Sequence, residues 1–377
     1  MIANWKIACH KLARRLIGTL LIAGAGSGCT ALDPEAVSDS GRMMTGVGTP
    51  VLAAGETVAV ATQSADAVDD PAIYVDSRDP ARVVIFGTDK QAGLYTYDLG
   101  GAVTQFIPDG RLNNVDLRDN FPTAAGTRVL VAASDRDRIA AALYLLDPTT
   151  LKTTPWGLAK LDLKEPYGLC MGRRGARFIV IINGTDGQVR QIAVAAGADG
   201  TPAITEERRF AVGSQTEGCV VDDEKGVLYI GEEAKGIWRY DLDPATGSAR
   251  TLIAAAPSTM ITPDVEGLAL LRDGEKAWLI ASSQGDSSFP VWRVDGAAPL
   301  YAGRFSVMAA GGVDGVTSTD GLDAHGGVVG PYASGLIVVQ DDIDSDGEAL
   351  SATRQRQNFK FVDWRAVVSA LNLTPTP

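Results

Sequence analysis

The chain has 377 residues, 45% of them hydrophobic and 21% charged, with a mean hydropathy of +0.05; these values exclude disorder and collagen and supply enough apolar side chain for a large core. A formal charge of -12 excludes nucleic acid as a partner gripped by a basic surface and makes cations the expected partners. His10 and His325 are the only imidazoles, so chemistry that needs several is excluded too.

Lys6, Lys11, Arg14 and Arg15 precede an apolar run from Leu16 to Ala23, a basic region followed by a stretch too short to span a bilayer. Residues 1–28 therefore read as an export signal, with no membrane span, directing the protein to the periplasm, the outer membrane or the medium. Ala25-Gly26-Ser27-Gly28-Cys29 resembles a lipobox; either Cys29 carries a lipid anchor or the leader is cleaved after the small residues. Residues 29–55, rich in Ser, Gly, Thr and Ala, are expected to form a flexible tether, and residues 56–377 one domain.

From Asp70 onward a unit of short strand, second apolar strand, polar loop and third strand recurs six times. The first copy runs through Ile73, Val83-Val84-Ile85-Phe86 and Leu94-Tyr95-Thr96-Tyr97, and the second opens at Asn114. Later copies open at Gly168, Gly218, Gly267 and Gly321, in steps of about 50 residues. That period, with β-branched and aromatic runs bounded by Gly and Asp, predicts an all-β fold, a six-bladed β-propeller. Residues 57–61 read as a strand without a blade of its own, expected to complete the last blade and close the ring. Only residues 364–371 have a helical pattern. Cys170 and Cys219 are taken to occupy the same place in successive repeats. Two buried free thiols are expected there, because equivalent positions in adjacent blades lie too far apart to bridge.

In a propeller the innermost strand of each blade begins beside the central channel, so its first residues ring one mouth. Those starts supply Asp69, Asp70, Asp116, Glu217, Asp264, Glu266, Asp314 and Asp320, and the loops after the second strands add Glu232, Glu233, Asp341, Asp342 and Asp344. Converging carboxylates repel one another, and bound hard cations or raised pKa values are the remedies. Oxygen donors without His or Cys favour several Ca2+ ions over zinc or copper. Lys90, Arg136 and Arg118 occupy loops beside them and would complete a clamp for a polyanion, most naturally phosphate. No Gly-x-Ser-x-Gly elbow accompanies His325, which reads as an exposed turn residue, and Ala176 stands where cysteine phosphatase chemistry at Cys170 would need an arginine.

At these residues the sequence resembles the β-propeller phytases, the calcium-dependent alkaline phytases of bacteria. Matching stretches include Asp69-Asp70-Pro71-Ala72-Ile73-Tyr74, Ser214-Gln215-Thr216-Glu217-Gly218, Thr262-Pro263-Asp264-Val265-Glu266-Gly267 and Gln357-Asn358-Phe359-Lys360. The resemblance implies a phosphoric monoester hydrolase that removes phosphate stepwise from phytate and other inositol phosphates; a monomer is expected. It implies that Glu217, Glu233, Asp264, Glu266 and Asp69 hold exchangeable calcium ions that bind substrate and activate water. Lys90, Arg136 and Tyr167 would contact the phosphate at the cleavage site. Asp70 with the Val115 carbonyl, and Asp314 with Asp342 and Asp344, would belong to structural calcium sites.

Two departures from the family pattern stand out. Its Gly-Lys-Glu-Gly loop reads Gly184-Thr185-Asp186-Gly187 here, leaving Arg190 to reach across, and its amino-terminal glutamate is displaced by about one position, as Glu56. The expected reaction is in-line attack on phosphorus by metal-activated water, without a phosphoenzyme. The alternatives are a calcium-dependent propeller lactonase or esterase, which predicts a deep apolar pocket, and a noncatalytic propeller that binds a polyanion.

Overall fold

Val83–Asp89 is buried at all seven positions. Strand side chains alternate between faces, so this strand has to be covered on both sides. A ring of sheets packed face to face meets that demand, and the computed structural model shows it. The described residues are 46–63, 66–345 and 356–373; the expectations for residues 1–28, Cys29 and most of the tether lie outside them.

Six sheets follow one another along the chain. Blade 1 is Val68–Val75, Val83–Asp89, Gly93–Tyr97 and Val103–Ile107; blade 2 is Leu112–Thr123, Gly126–Asp135, Ala140–Asp147 and Lys152–Lys160; blade 3 is Pro166–Arg174, Arg177–Gly184, Gln188–Ala196 and Pro202–Ala211. Blade 4 is Thr216–Asp222, Val227–Glu232, Gly236–Asp241 and Arg250–Ala255; blade 5 is Val265–Asp273, Lys276–Ser283, Phe289–Arg293 and Leu300–Met308; blade 6 is Leu322–Gly326, Gly335–Asp341 and Asn358–Asp363. The core lies between blades. Ile73, Ile85 and Tyr97 of blade 1 share a cluster with Val338 and Phe359 of blade 6, while Phe86 and Leu94 share one with Val131 and Tyr144 of blade 2.

Amino-terminal residues add to two of these sheets. Thr49–Leu52 runs parallel to Leu300–Met308 at the edge of blade 5, and Gly55–Glu56 pairs antiparallel with Asn358–Asp363 as the fourth strand of blade 6. Residues 57–61, expected to be that strand, are not one; the regular ladder ends at Glu56, although the Thr57 and Val60 amides still donate to the Phe359 and Gln357 carbonyls. The helix α1, Trp364–Ala370, forms where the sequence places it, capped by the Asp363 carboxylate on the Arg365 amide.

The inner strand of each of blades 1 to 5 has a register shift at its start, at Val68/Pro71, Leu112/Val115, Pro166/Leu169, Thr216/Cys219 and Val265/Leu268. Such irregularities re-aim side chains and leave ladder groups unpaired. The freed groups are satisfied from the second strand: Thr88 Oγ1 accepts from the Asp70 amide, Ser134 Oγ from Asn114, and Ser282 Oγ from Gly267. The recurring glycine follows from crowding at the same level. A Cβ on Gly168 would lie 1.8 Å from the Glu217 carbonyl oxygen, and one on Gly218 1.9 Å from that of Glu266.

The two cysteines are joined, not free. Cys170 and Cys219 form a disulfide with Cα atoms 5.5 Å apart. The repeat was read one residue out of register: Cys170 stands two residues after Gly168, but Cys219 one after Gly218. Successive residues of a strand face opposite ways. The side chain one after the glycine faces the preceding blade, as Leu169 and Leu268 do, and the one two after faces the next, as Ala269 does. The cysteines therefore meet between blades 3 and 4.

Candidate active site

Glu217 and Glu266 sit in the irregular starts of neighbouring inner strands, and Glu233 follows the second strand of blade 4. One oxygen from each of the three carboxylates lies within 4.8 Å of the others, and all three side chains are buried. Asn113 Nδ2 donates to Glu217 Oε1 at 2.7 Å, and Asn183 Nδ2 to the Glu217 carbonyl at 3.0 Å. Three carboxylates without imidazole or thiolate form a hard oxygen donor set, which fits calcium. Asp264 and Asp69 are not in this three-residue group. Asp264 lies one residue before the blade 5 inner strand, its carbonyl accepting from the Gln284 amide.

Lys90 is buried against acids rather than presented to solvent. Its ammonium pairs with Asp66, lies 3.2 Å from Asp320 Oδ2 and 3.8 Å from Asp69 Oδ1. Asp320 also accepts from Gln284 Nε2. Arg136 donates from Nε to Glu165 Oε1 at 2.8 Å and from Nη1 to Asn113 Oδ1 at 3.3 Å, and its guanidinium lies 5.6 Å from the Tyr167 ring centroid. Asn113 thus joins Arg136 to Glu217. Sequence reasoning had no role for Asn113, Glu165 or Asp66; the position of Asn113 in the inner-strand start was the one signal it offered.

Two other bases lie elsewhere. Arg118 donates to Asp116 and Asp223, farther down the blade 2 inner strand. Arg190 donates to the carbonyls of Val189 and Asp162, which hold it in blade 3 instead of letting it replace the missing lysine. His325 is in the strand Leu322–Gly326, not a turn, and burial lowers its pKa.

A second acidic group gathers Glu56, Asp314 and Asp344 around the Lys360 ammonium. That ammonium pairs with Glu56 and Asp314 and lies 3.3 Å from Asp341 Oδ2 and 3.6 Å from Asp344 Oδ1. Asp342, expected here with Asp314 and Asp344, accepts from Gln357 Nε2 instead. Glu56, left unassigned by the sequence, takes part. Burial raises the pKa of Asp341 to about 7, with Asp314 adding and Lys360 opposing.

Beside the axis, Asp70 Oδ2 accepts from the Val115 amide at 3.0 Å, so the two residues that the resemblance joins in a structural calcium site are neighbours here. Burial, then the neighbouring Asp69, pushes the Asp70 carboxyl well up. Burial, then Asp116, raises Asp323 to about 7. A carboxyl with a folded pKa above its unfolded value binds more protons when folded, so it favours folding at low pH and loses that contribution as pH rises through the folded value. For Asp323 and Asp341 the window runs from about 4 to about 7. Metal-free protein is expected to melt at lower temperature at pH 7.5 than at pH 5; calorimetry after exhaustive chelation checks it, and a flat or rising melting temperature would refute it.

The profile of the family described as Phytase matches residues 29–376. The chain is 34% identical over 336 residues to a 3-phytase of Bacillus subtilis (strain 168), covering 86% of each chain. Among solved structures it resembles U3-55K, with a TM-score of 0.46 at 12% identity over 82% of this chain and 99% of that one. A chain of a nidogen/laminin complex gives a TM-score of 0.43 at 13% identity over 73% and 95%. The class is a phosphoric monoester hydrolase on a six-bladed propeller. The chain belongs to the phytase family, and its reaction is hydrolysis of phytate.

Proposed function

We propose that this phytate hydrolysis depends on calcium held by Glu217, Glu233 and Glu266, with Asp264 and Asp69 as further ligands. The observation that carries the reading is the convergence of three buried carboxylates within 4.8 Å, an arrangement of like charge that favours a divalent cation. Calcium bound there supplies a Lewis acid that acidifies water and neutralises phosphoryl oxygens. Asn113 fixes the rotamer of Glu217 through its 2.7 Å hydrogen bond. Glu165 orients Arg136, whose guanidinium, with Tyr167 beneath it and Lys90 across the mouth, binds the equatorial oxygens of the phosphate being cleaved.

Asp70 with Val115, and Asp314 with Asp342 and Asp344, are proposed to contribute structural calcium sites, the second tempered by the Lys360 ammonium in its midst. The axial cavity of about 20 Å³ lined by Asp70, Asp116 and Asp323 among others adjoins one of about 460 Å³ whose lining includes Arg118, Asp223, Glu224 and Arg272, a charged lining unlike the deep apolar pocket that a lactonase would need. Among the described residues no helix is long and apolar enough to cross a membrane. We propose an exported monomer, with Cys29 as the lipid-anchor candidate; mass spectrometry of the mature protein tests the anchor.

The deciding experiment is phosphate release from phytate across a calcium titration, with melting followed in parallel. Calcium at 100 times its dissociation constant adds about 2.7 kcal/mol per structural site, so excess EGTA should abolish activity and lower the melting temperature. Activity unchanged in EGTA would overturn calcium dependence, and an unchanged melting curve would remove the structural sites.

A further inference from the structure

Blades in this ring are separate sheets, with no backbone ladder running from one inner strand to the next. Their relative height at the mouth is set by side-chain packing and by single backbone hydrogen bonds, such as Gly267 N to Asp320 O and Gly321 N to Asp69 O; one boundary has a covalent link as well. Between blades 3 and 4 the Cys170–Cys219 disulfide ties Pro166–Arg174 to Thr216–Asp222. Cys9 and Cys29 are the only other cysteines in the chain, so among the described residues no other blade boundary is cross-linked.

The position of the bond matters more than its presence. Cys219 is two residues past Glu217, the carboxylate shared between Asn113 and the three-acid group. Cys170 is three residues past Tyr167, whose ring lies beside the Arg136 guanidinium. One covalent link thus spans the boundary between the residues assigned to phosphate and those assigned to metal. Just above it, the Gly168 Cα lies against the Glu217 carbonyl, with no room for a methyl group, so a small slip of one strand displaces the other. Both sulfurs are buried, at 1% and 6% residue exposure.

We propose that Cys170 and Cys219 are positioning residues for phytate hydrolysis: their disulfide holds Glu217 at a fixed height relative to Tyr167 and Arg136, so that opening it loosens the metal group and slows turnover while the ring stays folded. In naming the metal as calcium this rests on the function proposed above. A displacement of about 1 Å at a reacting centre costs up to about 100-fold in rate. The expected effect of losing a restraint two residues away is about tenfold in kcat, with a matching rise in the calcium needed for half-saturation.

Two samples test it beside oxidised wild type. One is wild type reduced by a phosphine, which converts the sulfur–sulfur bond to two thiols as the phosphine takes oxygen from water and becomes its oxide. The other is the Cys170→Ala, Cys219→Ala variant, which needs no access to a buried bond. Thiol counting by mass spectrometry fixes the redox state, far-ultraviolet dichroism the fold, and a calcium isotherm without substrate the metal group. Each sample is assayed well below its own melting temperature. The proposal requires lower kcat and weaker calcium binding in both samples with the dichroism unchanged, and no response of the alanine variant to phosphine. A lower melting temperature with kcat and isotherm within about 1.5-fold of oxidised wild type would mean that the bond only stabilises the fold, and free thiols in the mature protein would end the proposal outright. If oxidised wild type hydrolyses phytate without calcium, the metal assignment fails instead, and kcat alone decides the role of the disulfide.

Discussion

Glu217→Gln and Glu266→Gln should each lower phytate hydrolysis at least about 100-fold while leaving the melting temperature of metal-free protein unchanged or higher. Glutamine keeps the length and shape of the side chain but removes a charge, and an amide oxygen is a weaker ligand for a hard cation. Without metal the same change relieves repulsion among three buried carboxylates, which is why stability should not fall. The two variants are not equivalent in detail. Asn113 Nδ2 donates to Glu217 Oε1, and an amide oxygen at that position still accepts the bond, so the loss tracks the metal and not the hydrogen bond. Wild-type rates in both variants across a calcium titration would show that this mouth is not where catalysis occurs.

Lys90→Met should have the largest effect on the fold. Sequence analysis gives Lys90 a role toward phosphate, but its ammonium is also buried among Asp66, Asp69 and Asp320. Removing one partner from a buried ionic group leaves the other charges uncompensated, at a cost of about 3 to 5 kcal/mol. Methionine fills the space of the stem and isolates the charge. Denaturant unfolding of the metal-free variant measures the loss; stability within about 1 kcal/mol of wild type would mean that the acids take up protons or solvent at little cost. Arg136→Ala gives the contrast, since its partner Glu165 is partly exposed: about tenfold off kcat/KM and little change in stability.

The architecture was legible because it rests on a feature that repeats. The glycine that opens each of the last four units is demanded by the close approach of the next inner strand, and the residue before it faces the mouth, so Glu217 and Glu266 could be paired from spacing alone. Contacts made between distant repeats had no such signal. Asp320 reaches Lys90 across 230 residues, and Asn113 reaches Glu217 across 104 residues. The cysteines show how little separates a right reading from a wrong one: an offset of one residue turned two positions thought too far apart into a bonded pair. Arg190, which could stand in for the missing lysine only by reaching across, shows the same limit, because a base in a strand interior finds nearby carbonyls first.

The sixth sheet draws strands from both ends of the domain: Gly55–Glu56 lies beside Asn358–Asp363, and Asn358 Nδ2 donates to Glu56 Oε2 across 302 residues of sequence. Contacts of such separation come late, since the entropy of the intervening loop must be lost before they form. During synthesis, blades 1 to 5 can assemble as their residues emerge, but the face of blade 1 that carries Ile73, Ile85 and Tyr97 has no partner until Val338 and Phe359 arrive. An unfinished chain is therefore an open arc with one apolar flank and unpaired strand edges, a form prone to association with its own copies. The sixth sheet therefore decides whether the first five remain soluble.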